Sequence, residues 1–453
     1  MKFTTNTKQE PNTHVRTCSQ YHWCHPRSER NMFMQRIVNF AALASAAAAL
    51  CVAMAATSSA QTLTTLFLFD GKDGLYPAAP LIQATDGNLY GTTTIGGKNG
   101  GGGIFKLSTS GAETLLYSFP YIGGWGPSSS GLAQAADGNF YGTCYGDGTI
   151  FEMTANGKVT ILGEADYPNG LIYTNGVFYG TSGAGGTYGE GTVFKITASG
   201  NLTTLYNFCA ESECPDGAGP GTLVLASDGN FYGTTSGGGA YGHGTVFDIT
   251  PAGALTTLYN FCAQSGCPDG ENPGTLVQAS NGNFFGTTLN GGANKNSGTI
   301  FKITSSGVLT TLYSFCAESG CADGQYPNAG LIQATDGDFY GTTQMGGPAP
   351  ITAGTVFKIT SHGKLTTLWS FCSETDCADG TGPRAGLLQD TNGDFYGTTY
   401  YGGSSGSVFS LSVGLEPFVE PQTASGAVGS RFWGPILAGR WALRLTARRL
   451  ALR

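Results

Sequence analysis

The chain has 453 residues and a formal net charge of −8, and only 11% of its residues are charged while 40% are hydrophobic. This composition supplies enough apolar material for a large core but few charges for long solvated helices, which excludes a coiled coil and a charged disordered chain. The 72 glycines and 19 prolines make up about a fifth of the residues, a share below that of collagen and of low-complexity chains.

Residues 1–60 are predicted to be a secretory signal peptide that is cleaved after Ala60. An Ala-rich apolar run at 37–56 is followed by Ser58, Ser59 and Ala60, which is the order of the hydrophobic and cleavage regions in such signals. The polar stretch before this run is long, and a translation start at Met32 or Met34 would shorten it to a conventional basic head. A transmembrane anchor is the alternative, but the small residues at the end of the run favour cleavage.

Residues 61–415 are predicted to form the mature domain. This segment holds 26 Asp plus Glu and 10 Lys plus Arg, a net charge of −16. Nucleic acid and anionic membrane surfaces are therefore expected to be poor partners, and the surface is expected to attract cations, neutral polymers or basic proteins.

Within this segment the chain repeats itself seven times. One marker is Tyr-Gly-Thr-Thr or a close variant, and it begins at Tyr90, Tyr141, Tyr179, Tyr232, Phe285, Tyr340 and Tyr396. A second marker, Gly-Thr-Val-Phe-Lys-Ile-Thr or a variant, follows each copy, with its aromatic residue at Phe105, Phe151, Phe194, Phe247, Phe301, Phe357 and Phe409. Seven units of about 40 to 55 residues, each with both markers in fixed order, indicate a repeat architecture.

Each unit is predicted to form four antiparallel strands. In the unit at 222–261, Asp228-Gly229 is a tight hairpin turn between the first two strands, and Ala252-Gly253 joins the last two. Four short strands per unit and seven units predict an all-β fold, a seven-bladed β-propeller.

The two ends of the array predict how the ring closes. The segment at 63–69 matches the fourth strand of a unit, whereas the last unit supplies only three strands and ends near 408–413. The N-terminal strand is therefore expected to complete the last blade and remove the exposed edge strands of an open array.

The repeat resembles two known patterns. The strand order with Gly-Gly pairs is similar to a kelch blade; these pairs stand at 96–97, 185–186, 291–292, 346–347 and 402–403. More closely, D-G-N-F-Y-G-T-T followed by G-T-V-F-K-I-T resembles the GloVer tandem repeat of bacterial "choice-of-anchor" surface proteins, over about residues 62–413. The resemblance implies secretion and carries no known activity. Such proteins often continue into an Ig-like domain, which 420–429 resembles. The Arg-rich segment 416–453 departs from that pattern and is expected to be an irregular tail, for which truncation of a further domain is one explanation.

Four units carry a pair of cysteines, five positions apart, directly after the fourth strand: Cys209/Cys214, Cys262/Cys267, Cys316/Cys321 and Cys372/Cys377. In a secreted chain these pairs predict four local disulfides that rigidify loops on one face. A metal site is the alternative, but the spacing is not that of zinc ligands, and the repeats hold only two histidines. Cys144 has no repeat partner and is expected to be a small buried residue.

An Asp-Gly pair follows each second cysteine, and the first unit has an equivalent; the acidic residues are Asp216, Asp269, Asp323, Asp379 and Asp73. Propeller symmetry places them on one rim, where they are candidates to bind Ca²⁺ or a basic partner. The alternative, which the absence of a dense D-x-D-x-D run favours, is that Asp-Gly is simply good turn chemistry. No other cofactor is expected.

The third unit lacks the cysteine loop. The rim is therefore expected to be lower there, which makes Glu164 and Asp166 candidate ligand residues at a notch. Trimming of a redundant loop is the alternative.

The Phe-Tyr pairs of the first marker are candidates for stacking on sugars, but packing between blades is favoured.

The sequence contains none of the common hydrolase, zinc-protease or nucleotide-binding motifs. The units are nearly interchangeable, and Arg384 and Trp125 are the main departures from the repeat. We therefore predict a secreted or cell-surface binding module, extracellular or alternatively periplasmic, that acts as a monomer on a polysaccharide or a protein. The alternative is a carbohydrate-active enzyme, a glycosidase or lyase, with its site at the mouth of the propeller channel.

Overall fold

The computed structural model describes residues 61–121, 126–127, 130–348, 353–402, 405–417 and 427–428. The predicted signal peptide, Trp125 and most of the predicted tail lie outside the described residues. The domain boundaries drawn from the sequence stay a prediction.

The described residues form a seven-bladed β-propeller with four antiparallel strands in each blade, which confirms the predicted fold. Strand β1 comprises Thr62–Leu68. Blades one to three contain β2 (Ile82–Gln83), β3 (Leu89–Thr93), β4 (Gly100–Leu107), β5 (Glu113–Pro120); β6 (Ala133–Gln134), β7 (Phe140–Thr143), β8 (Thr149–Met153), β9 (Val159–Glu164); and β10 (Ile172–Thr174), β11 (Val177–Ser182), β12 (Thr192–Thr197), β13 (Leu202–Asn207).

In blades four and five the innermost strand is split into two short pieces. These blades contain β14 (Ala218–Pro220), β15 (Val224–Leu225), β16 (Phe231–Gly237), β17 (Thr245–Ile249), β18 (Leu255–Asn260); and β19 (Glu271–Pro273), β20 (Val277–Gln278), β21 (Phe284–Asn290), β22 (Thr299–Ile303), β23 (Leu309–Ser314). Blades six and seven contain β24 (Ile332–Gln333), β25 (Phe339–Thr343), β26 (Thr355–Ile359), β27 (Leu365–Ser370); and β28 (Leu388–Gln389), β29 (Phe395–Thr399), β30 (Ser407–Ser412). Two short 3-10 turns lie at Ser319–Cys321 and Thr375–Cys377, and the last strand, β31 (Ala427–Val428), pairs with β10.

Each letter of the first marker has a structural reason, as the fourth blade shows. The Tyr232 hydroxyl donates a hydrogen bond to Asp228 in the hairpin turn, at 2.9 Å. A β-carbon at Gly233 would lie 2.5 Å from the ring of Phe247, so only glycine lets this ring pack across the strand. The marker is therefore a packing pattern that joins the second and third strands.

The two threonines of the marker serve different neighbours. The second, Thr235, is 2.9 Å from the hydroxyl of Thr245 at the start of β17, within the same blade. The first, Thr234, donates to the carbonyl of Gly274 in the next blade at 3.0 Å. Equivalent bonds to the following blade are made by Thr143, Thr181, Thr287 and Thr342. One hydroxyl per unit therefore ties each of these blades to its successor, at roughly 0.5–1.5 kcal/mol per bond.

The Phe-Tyr pairs pack between blades, as the favoured interpretation predicts. Aromatic rings of neighbouring second strands stack with centroids 4.0 to 4.4 Å apart, in the pairs Tyr90/Phe140, Tyr141/Phe178, Tyr179/Phe231, Tyr232/Phe284, Phe285/Phe339 and Tyr340/Phe395. Of these rings, Phe140, Phe178, Phe231 and Phe284 are almost completely buried. They form the core between blades and are not available for sugar stacking.

The ring closes where the sequence predicts. Strand β1 pairs antiparallel with β30, from Thr62 opposite Ser412 to Leu68 opposite Ser407. Phe69, which follows β1, is 2% exposed and packs edge-on against Phe105 of the first blade, with ring centroids 5.2 Å apart. The N-terminal strand therefore completes the seventh blade and also contributes to the core of the first.

One partly buried acid interrupts the repeat. Glu113 begins β5 opposite Leu107, where the other blades place Val159, Leu202, Leu255, Leu309 or Leu365 in the same register. Its Oε1 atom is buried and has no hydrogen-bond partner among the described residues. Burial, followed by the charges of Asp73 and Asp70, raises the pKa of Glu113 to about 7.

We expect this acid to make the domain less stable as the pH rises. Between pH 4.5 and about 7 the unfolded chain has lost the Glu113 proton while the folded chain keeps it, so stability falls across that window. Because the side chain is partly solvated, the loss is about 1 kcal/mol rather than the full value of the shift. The difference in melting temperature between Glu113→Gln and wild type should therefore be larger, in favour of the variant, at pH 8 than at pH 4.5. The exposed-site variant Glu211→Gln should show no such difference, and parallel pH profiles for all three proteins would contradict this account.

Candidate ligand-binding face

The strand order places two kinds of connection on one face of the propeller. In an antiparallel four-stranded blade, the loop between the second and third strands and the link from the fourth strand to the next blade lie at the same end. We call this end the mouth face. The disulfide loops belong to the links between blades and therefore also lie on the mouth face, as the sequence predicts.

A cavity of about 660 Å³ opens where the seven links converge on the axis. Each link carries a proline. In six links the described residue that follows this proline lines the cavity: Ala78, Asn169, Gly221, Gly274, Asn328 and Arg384. Thr94, Ser130, Thr222 and Thr275 also line it. Among the described residues of the lining, Arg384 is the only charged one, so the cavity holds a single cation in otherwise uncharged surroundings of polar and apolar residues.

Arg384 is held in a stack of planar groups. Its guanidinium carbon lies 3.9 Å from the centroid of the Tyr400 ring. The Tyr76 ring also stacks on Tyr400, with centroids 4.8 Å apart and planes inclined by 11°. The Gln344 amide oxygen, when it is turned towards the guanidinium, accepts from Nη2 at 3.0 Å and from Nε at 3.3 Å.

The mouth face is rich in exposed tyrosines. Six tyrosine side chains between 45% and 66% exposed all lie in connections of this face: Tyr121, Tyr145, Tyr167, Tyr188, Tyr241 and Tyr401. Tyr145 also lines the cavity, and its ring lies 4.8 Å from that of Tyr167. Exposed tyrosines supply large contact areas with one polar tip at little conformational cost, which is typical of binding surfaces.

The four predicted disulfides are present in the structure, between Cys209 and Cys214 and at the three equivalent pairs. Cys144 is free and buried, as predicted, and burial raises the pKa of its thiol. No helix among the described residues has the length and hydropathy for a membrane crossing.

The rim aspartates hold the disulfide loops together. Asp216 accepts hydrogen bonds from the Tyr206 hydroxyl at 2.9 Å and from the Cys209 amide at 3.1 Å, and burial with this bond raises the pKa of Tyr206 to about 12. Asp269, Asp323 and Asp379 accept equivalent bonds from the loop. This geometry supports the turn-chemistry interpretation, and binding of Ca²⁺ or ligand by these carboxylates stays a prediction.

The other predicted acidic residues lie apart from the cavity. Asp73 is half-buried and accepts from the Asp70 amide at 3.1 Å, and burial raises the pKa of its carboxyl. Glu164 ends β9 of the second blade and Asp166 lies in the link to the third, and both are exposed. None of the three is among the described residues that line the cavity, so their role as ligand residues also stays a prediction.

The tyrosines of the cavity were not identified as candidates from the sequence, although a signal is present. Tyr145 and Tyr400 both stand directly after the four-residue marker, where the other units have Thr94, Gly183, Ser236, Leu289 and Gln344. Departure from the repeat, which identified Arg384, would have identified these two tyrosines as well.

Comparisons with known proteins agree with the fold. A family model described as "Gloeobacter/Verrucomicrobia repeat" matches residues 44–170, 145–348 and 319–437. No curated protein matches the sequence. Among solved structures, virginiamycin B lyase from Staphylococcus aureus is 16% identical with a TM-score of 0.55, over 78% of this chain and 99% of that one. The extracellular domain of a protein assigned as a one-component system of B. thetaiotaomicron is 11% identical with a TM-score of 0.52, over 78% and 40%. At these identities the similarity shows the propeller fold alone.

Proposed function

The chain belongs to the Gloeobacter/Verrucomicrobia repeat family, and from this premise we propose that it is an extracellular binding module that recognises a glycan with its mouth face. The four disulfides indicate an oxidising compartment. The family is defined by its repeat, so the ligand has to be argued from the site.

The observation that carries the proposal is the combination of exposed tyrosines and a neutral cavity on one face. Tyrosine rings stack on the apolar faces of sugars, and threonine, serine and asparagine side chains exchange hydrogen bonds with sugar hydroxyls. A volume of about 660 Å³ is within the usual range for small-ligand sites. One or two sugar units of a longer chain would fit, while the rest would lie across the tyrosines.

Binding is favoured over glycosidase catalysis because no carboxyl group is among the described residues that line the cavity. His and Lys are also missing from this described lining. Among the segments outside the described residues, those at 122–125, 128–129, 349–352 and 403–404 contain no Asp, Glu, His or Lys, whereas 418–426 contains Glu420. A glycosidase needs a pair of carboxyl groups beside the scissile bond. The carbohydrate-active alternative would therefore depend on lining residues such as Tyr145 or Arg384, and it predicts cleavage products from any glycan that is retained.

The proposal is tested by retention of the full chain on a broad polysaccharide array, with wild type, Tyr145→Ala and Val308→Ala compared. Val308 is 62% exposed in a turn on the opposite face. We expect selective retention of wild type, a loss of roughly tenfold in affinity for Tyr145→Ala because one stacking ring is removed, and no change for Val308→Ala. Absence of retention on every polysaccharide of the array would contradict glycan recognition and would favour a protein partner.

A further inference from the structure

We propose that Arg384 makes the mouth cavity an acidic-sugar subsite, specific for a single hexuronate unit at the end of an otherwise neutral glycan. This inference rests on the proposed function and adds the chemical class of the ligand. It starts from the described positions that follow the repeated proline of a link and line the cavity, which are Ala78, Asn169, Gly221, Gly274, Asn328 and Arg384. Five of these six residues are uncharged, and the sixth is a cation.

The structure orients this cation towards a ligand. Gln344 takes two of the five N–H donors of the guanidinium. The other three have no acceptor among the described residues. Arginine presents such donors in a planar fork that matches a carboxylate. The stack on Tyr400 and Tyr76 holds the plane of the fork, so less conformational entropy is lost on binding than with a mobile side chain.

The remainder of the lining suits a polyol. Asn169, Asn328, Thr222 and Thr275 line it from four different links. The Asn169 amide nitrogen already donates to the Pro220 carbonyl at 2.8 Å, and the Thr222 hydroxyl donates to Ser130 at 3.4 Å, so these two side chains offer acceptor oxygens while Asn328 and Thr275 offer both donors and acceptors. Together these groups can donate and accept, which is the requirement for the hydroxyls of a sugar ring. A sugar ring with a carboxylate could bind Arg384 through the carboxylate and the uncharged lining residues through its hydroxyls. A hexuronate is the simplest ligand of that chemistry.

The charge of the rest of the domain limits the ligand to one acidic unit. Residues 61–415 hold 26 acidic and 10 basic residues, and Glu211, Glu318 and Glu374 are exposed on the disulfide loops of the same face. A polyuronate would place many carboxylates against this negative surface, where like charges repel. A neutral chain with one terminal uronate, or the free uronate, avoids that repulsion.

The first test varies the ligand and leaves the protein intact. Glucuronate, its neutral methyl ester and glucose are titrated against the full wild-type chain by calorimetry. A charge-assisted hydrogen bond to arginine predicts that glucuronate binds about 10 to 100 times more tightly than the ester. Raising the salt concentration should reduce this preference. Equal affinity for acid and ester, or no measurable binding of glucuronate at millimolar concentration, would overturn the proposal.

The second test varies the protein. Arg384→Gln should reduce the affinity for glucuronate to that for the ester, while Arg384→Lys should retain part of the preference because the charge is kept and the fork is lost. Lys364→Gln, which removes one positive charge from an exposed turn on the opposite face, is the matched control and should leave the preference unchanged. If Arg384→Gln still preferred glucuronate over the ester to the same degree, the selectivity would come from another residue and the proposal would be overturned.

Two further comparisons distinguish a glycan end from a free sugar as the ligand, and failure of the subsite from failure of the binding module. An oligosaccharide of neutral units ending in glucuronate should bind more tightly than free glucuronate if the ligand is a chain end, and equally if it is the free sugar; both results support the subsite. Retention of neutral glycans that depends on Tyr145 but shows no preference for the acid would overturn the subsite and leave the binding module in place. Absence of binding to any sugar or glycan would overturn both.

Discussion

Deletion of residues 61–69 is expected to unfold the whole domain rather than one blade. The deletion removes β1, which supplies the outermost strand of the seventh blade. It also removes the buried side chains of Leu63 and Phe69, 8% and 2% exposed. Loss of buried residues of this kind costs about 2–5 kcal/mol each, and the sum, with the lost strand pairing, is comparable to the total stability of a typical domain, about 5–15 kcal/mol.

Thermal melting of the full chain and of the deletion variant checks this expectation, with two point variants as controls. Phe69→Ala should lower the melting temperature by several degrees because its ring packs on Phe105. The neighbouring Leu68→Ala should have little effect because Leu68 is 42% exposed. A deletion variant that melts cooperatively at the wild-type temperature would show that the ring does not depend on its N-terminal strand.

The second large effect is expected from Gly233→Ala in the fourth blade. The added β-carbon would lie 2.5 Å from Phe247 Cζ and 3.2 Å from Leu223 Cδ2, and both side chains are buried in the core. Overpacking of a well-packed core costs about 1–3 kcal/mol. The measurement is the free energy of unfolding in denaturant, which should fall by that amount.

Gly221→Ala separates the close contact from the general effect of replacing a glycine, because a β-carbon there would be 3.4 Å from its nearest neighbour. We expect it to be nearly neutral. Adding Phe247→Leu to Gly233→Ala should cost less than the sum of the single changes, since the smaller side chain relieves the contact. A strictly additive double variant would contradict the assignment of this glycine to ring packing.

The repeated part of the sequence predicted the fold because each letter of the marker has one structural task. Glycine at Gly233, the hydroxyl at Thr234 and the aromatic pair at Phe231 and Tyr232 recur in the same positions, so a strand pattern and a period of about 50 residues were sufficient for the architecture and its closure. The disulfides followed from cysteine spacing in the same way.

The candidate site was predicted only in part because it is made by residues that do not repeat. Arg384 was identified as a departure from the pattern, but its stack with Tyr76 and Tyr400 joins the first and last units, which become neighbours only when the ring closes. The opposite difficulty applies to Asp323 and Asp379. Their sequence context fits a binding rim as well as a turn, and the features that favour the turn, complete burial and hydrogen bonds from loop amides, are visible only in the structure.

The central claim is that the ligand lies on the mouth face, and hydroxyl-radical footprinting of the full chain tests it most directly. The measurement compares oxidation of individual side chains with and without a glycan retained on the array. The account predicts protection of Tyr145, Tyr167 and Tyr401, with unchanged oxidation of Val308 and Leu202, which are exposed away from the cavity. Protection confined to the face that carries Val308, with the mouth tyrosines oxidised as before, would contradict it.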